Sequence, residues 1–231
     1  MSRLLGKTIP NLHNLFDMFV MAVIEDNNSD SNVHTFQDIK MMNGTKLKGD
    51  IFEAFCKLYL KIVRKYDNVW LLYEVPEDIR TQLALKAKDV GIDIIAEKSG
   101  KYTAVQCKFK KPREGKIPGT WIPYNCVNWK ELSTFYALCS RTNNNKWEKH
   151  IVMTNTRYVR HMGEKTPKDQ SICYGTFSKL TGLDFIEMIN EKRESHNLVT
   201  KSNPADHIID AEVLRNSRIA FFAKSAPQQS L

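Results

Sequence analysis

Two short runs of β-forming residues on either side of Ser99-Gly100 constrain this chain more than any other feature. Ile92, Ile94 and Ile95 precede the pair, and Tyr102, Thr103 and Val105 follow it. Ser-Gly between Lys98 and Lys101 supplies the residues of a tight turn. With Lys98 facing Lys101 and Glu97 facing Tyr102, antiparallel pairing sets Asp93 opposite Gln106. Side chains alternate with period two, so Lys108 falls on the same face as Gln106. Opposed Cβ atoms lie about 5 Å apart, and Lys108 is about 7 Å further along its strand. Ile92, Ile94, Val105 and Cys107 are expected on the opposite face, against a core. A one-residue slip would scatter the set, so the reading rests on a tight turn.

A carboxylate with neighbouring oxygen donors suits a hard cation such as Mg2+. A lysine beside it positions or activates a water and stabilises charge on a phosphate. Together these are the parts for hydrolysing a phosphodiester. Asp, Gln and Lys are also ordinary residues of a solvated strand face, so the hairpin alone leaves both readings open.

Asp89-Val-Gly91-Ile-Asp93 followed by Gln106-Cys-Lys108 resembles the D-x-G-x-D and Q-x-K core of the Mrr-like restriction endonuclease branch of the PD-(D/E)XK nuclease superfamily. Lys48-Gly49-Asp50-Ile51-Phe52-Glu53 matches the G-x-x-x-E type signature on that branch's preceding helix. The resemblance covers residues 43 to 155, about half the chain. It implies an α/β fold with a restriction-endonuclease-like αβββαβ core, a mixed central sheet flanked by helices, here with helical N- and C-terminal extensions. It implies that Asp93 binds the metal, with Mg2+ expected and Mn2+ as a substitute, and that Lys108 is the catalytic lysine. The Cys107 backbone carbonyl is implied as a further metal ligand. Gln106 stands where the superfamily usually has Glu, which removes one negative charge from the site. Glu53 is expected to restore it and to join the catalytic and metal-binding set.

The helix carrying Glu53 is legible without the resemblance. Ile51, Phe55, Leu58 and Ile62 recur at helical spacing, joined by Phe52, Tyr59 and Val63. Thr45 or Asp50 is placed to cap its start, and the stripe ends near Tyr66-Asp67-Asn68. Glu53 lies at the edge of the stripe, where it either reaches a metal over the sheet or pairs with Lys57 four residues on.

A chain of 231 residues can bury one good core with a small appendage. The expected organisation is an N-terminal helical extension (1–42), a nuclease-like α/β domain (43–195), and a linker, short helix and tail (196–231). The apolar run from Leu15 to Ile24 is too short and interrupted to cross a bilayer, and His13 and Asp17 break the candidate signal-peptide region. The five cysteines, Cys56, Cys107, Cys126, Cys139 and Cys173, include no Cys-x-x-Cys pair. Their number is odd and three occupy core-like positions. This argues against zinc and for an intracellular, reducing compartment, cytoplasm or nucleoid or nucleus.

The net charge is +8 and unevenly spread. Lys98, Lys101, Lys108, Lys110, Lys111, Arg113 and Lys116 face a single acid, Glu114, over one short segment. Lys110, Lys111, Arg113 and Lys116 directly follow the candidate strand and are expected to hold a nucleic-acid backbone. Trp121 and Tyr124 follow in a loop, either stacking on bases or plugging the loop, with the plug preferred. Trp129 to Ser140 reads as a helix with Leu132, Phe135, Tyr136 and Cys139 inward, and His150 to Asn155 as a buried parallel strand leading to Arg157 and Arg160. Further along, Ser171 to Phe177 reads as a strand, Asp184 to Glu194 as a helix, 195 to 205 as a polar linker, and Ile208 to Lys224 as a short helix. Ile9 to Glu25 reads as an amphipathic helix, either an interaction arm or a lid.

Three function classes follow. The first is a Mg2+-dependent endonuclease acting on DNA, the nuclease part of a restriction or DNA-processing system. The second is a nuclease-fold DNA-binding module without catalysis. The third is a basic RNA-binding protein, disfavoured because neither an RRM-like aromatic strand nor a KH-type GxxG loop is present. DNA is the expected partner. Cutting both strands needs two active sites, which makes a homodimer or a larger assembly plausible.

Overall fold

Ser99 and Gly100 both take positive φ, 52° and 74°, closing the two-residue turn whose twist suits the strands beside it. Those strands run Ile94–Lys98 and Lys101–Lys108 and pair with Lys98 opposite Lys101 and Glu97 opposite Tyr102. The register is the one the sequence predicts. Around this hairpin the computed structural model describes residues 14–24, 48–86, 91–114, 116, 121–142, 146–160 and 166–200.

In chain order the helices α1 (Leu15–Ile24) and α2 (Lys48–Ile62) come first. Strand β1 (Asn68–Leu71), a 3-10 turn (Leu72–Glu74) and helix α3 (Glu77–Gln82) follow. Then come the hairpin strands β2 (Ile94–Lys98) and β3 (Lys101–Lys108), and the short strands β4 (Arg113–Glu114), β5 (Trp121–Ile122) and β6 (Cys126–Asn128). A second 3-10 turn (Trp129–Glu131) leads to α4 (Ser133–Arg141), β7 (Trp147–Thr154), β8 (Tyr158–Arg160) and β9 (Asp169–Ile172). Helices α5 (Tyr174–Phe177) and α6 (Gly182–Thr200) close the described chain.

Five strands form one sheet in the order β1-β2-β3-β7-β9. β1, β2 and β3 are antiparallel, while β3, β7 and β9 are parallel. The succession α2-β1-β2-β3-α4-β7 is the αβββαβ order, and the fold is α/β with a mixed sheet flanked by helices. Each face of the sheet buries its own core. On one side Phe16, Phe19, Phe52, Phe55 and Phe177 from the helices pack over Ile94, Val105, Cys107, Ile151 and Met153. On the other, Leu132, Phe135, Leu138 and Cys139 around α4 pack over Ile95, Ala104 and Val152. β7 is apolar on both faces, as expected of a buried parallel strand.

α1 is neither an arm nor a lid in its described part. Phe16 and Phe19 are buried in the first core, and the Tyr174 hydroxyl donates to Asp17 (3.0 Å), joining α1 to α5. The rest of the expected 9–25 helix lies outside the described residues. Ile92 departs from the expected alternation. It precedes the first regular strand residue and joins the α4-side core rather than the core of Ile94. The expected strand over 171–177 is instead Asp169–Ile172 followed by a helical turn. Helix α6 runs to Thr200, into the expected linker, because no Gly or Pro stops it between 195 and 200. The chain divides into units 1–194 and Ser195–Leu231. The second is described only over helical residues 195–200, and the expected 208–224 helix and the tail lie outside the described residues.

Gly91 positions the start of β2 against α4. Its φ is +140°, and a Cβ there would come within 3.2–3.3 Å of backbone atoms of Thr134 and Phe135. Neither the conformation nor the space accepts a side chain. Gly91→Ala is expected to cost about 1–3 kcal/mol, read as a lower urea midpoint at constant slope. An unshifted midpoint would refute this tight seat.

Candidate active site

Asp93 is the residue just before β2, and its backbone fixes it. Its N–H donates to the Val105 carbonyl (2.9 Å) and its carbonyl accepts from the Leu72 N–H (2.9 Å). The first bond steps out of the hairpin register, in which Ile94 pairs with Val105, so Asp93 and Ile94 both face Val105, and the Asp93 side chain comes to lie beside Gln106 and Cys107 of β3. The Asp93 carboxylate then takes two hydrogen bonds on the same oxygen. The Cys107 N–H donates to Oδ2 (2.7 Å), and the Gln106 side-chain amide donates to it as well. Oδ1 accepts no hydrogen bond from the described residues. Gln106 is 5% exposed, and its amide also lies 3.4 Å from the Cys107 carbonyl.

Burial pushes the Asp93 carboxyl above the usual carboxylate range. The Cys107 N–H, the Lys108 charge and the Gln106 amide pull the other way, and Asp50 adds to the rise. Lys108, at the half-buried end of β3, is therefore within electrostatic reach of Asp93. The two acids of α2 divide their influence. The charge of Asp50 acts on Asp93, and that of Glu53 acts on the thiols of Cys56 and Cys107. Both thiols are buried and hydrogen-bonded to each other, and burial pushes both up, Cys107 far up. They are packing residues beneath the site, poor as nucleophiles. Lys57, the alternative partner considered for Glu53, reaches Glu74 (2.5 Å).

Asp50 lies three residues before Glu53, one helical turn away, so the spacing held its signal. Glu131 had no such signal. It follows β6, accepts from the Asn128 N–H (3.0 Å) and forms an ion pair with Lys110. Burial works to raise the Glu131 carboxyl, but the Lys110 and Asn128 hydrogen bonds and the charges of Lys110 and Lys108 outweigh it and hold it low. Glu131 thus brings a third acid into the field of Lys108.

The basic segment does not form one patch. Lys98 and Lys101 sit at the hairpin turn, seven residues of strand, about 23 Å, from Lys108. Lys98 donates to the Arg64 carbonyl (3.1 Å), and Lys101 pairs with Glu148 (3.3 Å). At the site's end Lys110 is engaged by Glu131, Lys111 and Lys116 are exposed, and Arg113 lies over the Tyr124 ring at 5.2 Å. Tyr124 is 40% exposed, so it is no plug.

Among the described residues no three His, Cys, Asp or Glu side chains converge as a metal-holding group. The oxygens on offer are the Asp93 carboxylate, the Gln106 amide and the Cys107 carbonyl. A hard divalent cation fits that set, because Oδ1 of a mostly buried carboxylate has no described hydrogen-bond donor. Turning the Gln106 amide over exchanges its nitrogen for its oxygen in the same place.

A family model described as a restriction endonuclease matches residues 60–188, more than half of the chain. The chain belongs to this restriction endonuclease family. The match includes Asp93, Gln106, Lys108 and Glu131 and begins after Asp50 and Glu53. A solved structure, described as the protein of unknown function AF1548, is 21% identical with a TM-score of 0.23. That match covers 56% of this chain and spans 60% of that one. No curated protein matches. Membership makes the family's class of chemistry, that of a nuclease, the frame for this site. No helix among the described residues is long and apolar enough to cross a membrane.

Proposed function

We propose that this protein is a Mg2+-dependent endonuclease that hydrolyses phosphodiester bonds in DNA. The observation that carries the reading is the meeting of Asp93, Gln106 and Lys108 at one end of the β2–β3 hairpin, within the matched family region. Asp93, Gln106 and the Cys107 carbonyl are the residues that would hold the cation, with Glu53 or Asp50 adding charge from α2. When bound, the cation supplies a Lewis acid for the phosphate and lowers the pKa of a water. Asp93 fixes the site through its two hydrogen bonds to β3. Lys108 holds its ammonium beside the carboxylate, placed to orient the attacking water and to balance charge gathering on the phosphate. Relaxation of supercoiled plasmid with Mg2+ or Mn2+, abolished by EDTA, is the expected result. A protein that binds DNA and never nicks it with either ion is instead a binding module.

Glu53 is proposed to supply the charge that Gln106 lacks. Glu53→Gln should then weaken Mg2+ binding more than Gln106→Ala does, measured by calorimetric titration. The reverse order would refute that role for Glu53.

Lys111, Arg113 and Lys116 are proposed to hold the phosphate backbone, with Lys110 shared with Glu131. Each neutralised phosphate contributes a slope of about −0.9 to the dependence of log K on log salt. Lys111→Ala with Arg113→Ala should flatten that slope by up to about 2. An unchanged slope would send the backbone path to Arg157 and Arg160.

A further inference from the structure

β6 and β8 form a two-stranded parallel ribbon in which Cys126 pairs with Tyr158, Val127 with Val159 and Asn128 with Arg160. Val127 and Val159 are buried in the α4-side core. Alternation therefore turns Tyr158, Arg160 and Asn128 to the outer face. Tyr158 is 45% exposed and Trp129, the next residue after β6, 36%. Two further bonds attach the preceding loop to the ribbon. The Arg157 N–H donates to the Tyr124 carbonyl (3.1 Å) and the Tyr158 N–H to that of Asn125 (3.2 Å). Tyr124, with Arg113 over its ring, thus sits at the head of the same surface.

This surface is fastened to the mouth of the candidate site. Two residues beyond Lys108, the Lys110 N–H donates to Asn155 Oδ1 (2.8 Å) and the Lys110 carbonyl accepts from Asn155 Nδ2 (2.7 Å). Asn155 leads into β8. The Lys110 ammonium pairs with Glu131, which in turn holds the Asn128 N–H at the end of β6. Both strands are therefore anchored to Lys110, two residues past the end of β3.

The charge on the surface identifies its occupant. Arg113 over the Tyr124 ring, Lys130 after β6 and Arg160 on β8 are exposed, while Glu131 is engaged by Lys110. Aromatic rings interleaved with arginines match a polyanion that also offers flat faces. A paired duplex hides those faces in its stack, whereas a single strand presents them.

We infer that the β6–β8 ribbon is a stacking platform for unpaired bases, so that the DNA led to this site carries a single-stranded segment. The inference rests on the nucleic-acid reading of the site and adds its substrate class. Tyr124 and Tyr158 stack on bases, and Arg113 and Arg160 hold the phosphates beside them.

The test measures binding in EDTA by fluorescence anisotropy, so it does not depend on cleavage. The probes are a short oligothymidine and a blunt duplex with the same number of phosphates. The unaltered protein should bind the single strand at least as tightly as the duplex. Tyr124→Leu with Tyr158→Leu should weaken single-strand binding by roughly tenfold or more, since a stacked base contributes roughly 5- to 150-fold. Duplex binding should change less than about twofold, and Tyr124→Phe with Tyr158→Phe should keep both affinities. A duplex preference in the unaltered protein overturns the inference without any variant. Equal losses on both probes, or none, overturn it as well. A protein that passes this test but never cuts DNA contradicts only the endonuclease reading.

Discussion

Asp93→Asn is expected to lower DNA cleavage by on the order of 10²-fold or more while leaving the fold intact. The asparagine oxygen, in the place of Oδ2, can still accept from both the Cys107 N–H and the Gln106 amide. What disappears is the charge that would hold a cation. The same substitution should stabilise the protein at neutral pH in EDTA. The folded carboxyl of Asp93 is raised above the ordinary 3.8, chiefly by burial. Below 3.8 the group is protonated in both folded and unfolded chains and costs nothing. As pH rises through the folded pKa, ionisation becomes harder in the fold than in the unfolded chain, and stability falls. The Asn variant escapes that loss. Its melting temperature should exceed that of the unaltered protein at pH 7, and the gap should close as pH falls toward 4. Normal cleavage by the variant would remove Asp93 from the site. A gap that stays constant with pH would show that Asp93 does not titrate as its burial requires.

Lys108→Met should reduce cleavage by on the order of 10² to 10³-fold. Methionine keeps the length and apolar stem of lysine, so β3 and the β7 residue paired with it, Thr154, are undisturbed. Binding of DNA in EDTA should be nearly kept, because other basic residues carry the backbone contact. Arginine is not expected to substitute. Its broad planar fork cannot occupy the place of a compact ammonium beside Asp93. Single-turnover cleavage separates the effect on chemistry from any effect on binding. A Lys108→Met protein cleaving at the normal rate would show that the hairpin face is only a solvated surface. Recovery by Lys108→Arg would reduce the requirement to positive charge alone.

The parts of this protein written in local sequence were legible in it. The Ser99-Gly100 turn and the period of two fix the register from Lys98 to Ile94 and the places of Gln106 and Lys108 on β3, since both are properties of neighbouring residues, whereas Asp93 reaches Gln106 through a bond that steps out of that register. The α2 stripe and the apolar β7 were readable for the same reason. Ile92 was misassigned because the Asp93 N–H bonds out of register to the Val105 carbonyl, which breaks the alternation just before Ile94. Glu131 was missed because it reaches Lys110 from 21 residues away, through the ribbon formed by β6 and β8. The basic run from Lys98 to Lys116 looked continuous because sequence does not show that an extended strand carries its two ends far apart. Tyr124 was read as a plug on the general habit of aromatic residues, and a neighbouring arginine instead keeps its ring at the surface.

β3 lies in the middle of its sheet, with β2 on one side and β7 on the other. Its backbone is paired with both neighbours over Tyr102 to Val105 and with β7 alone over Gln106, Cys107 and Lys108, and cores cover both faces. The strand that carries Gln106 and Lys108 is thus rooted in a doubly paired, doubly covered segment, while its site end is held by β7 alone. Frayed ends or a loosened ribbon leave this strand in place. Heat or denaturant should therefore part Gln106 and Lys108 from the site as β3 separates from β7.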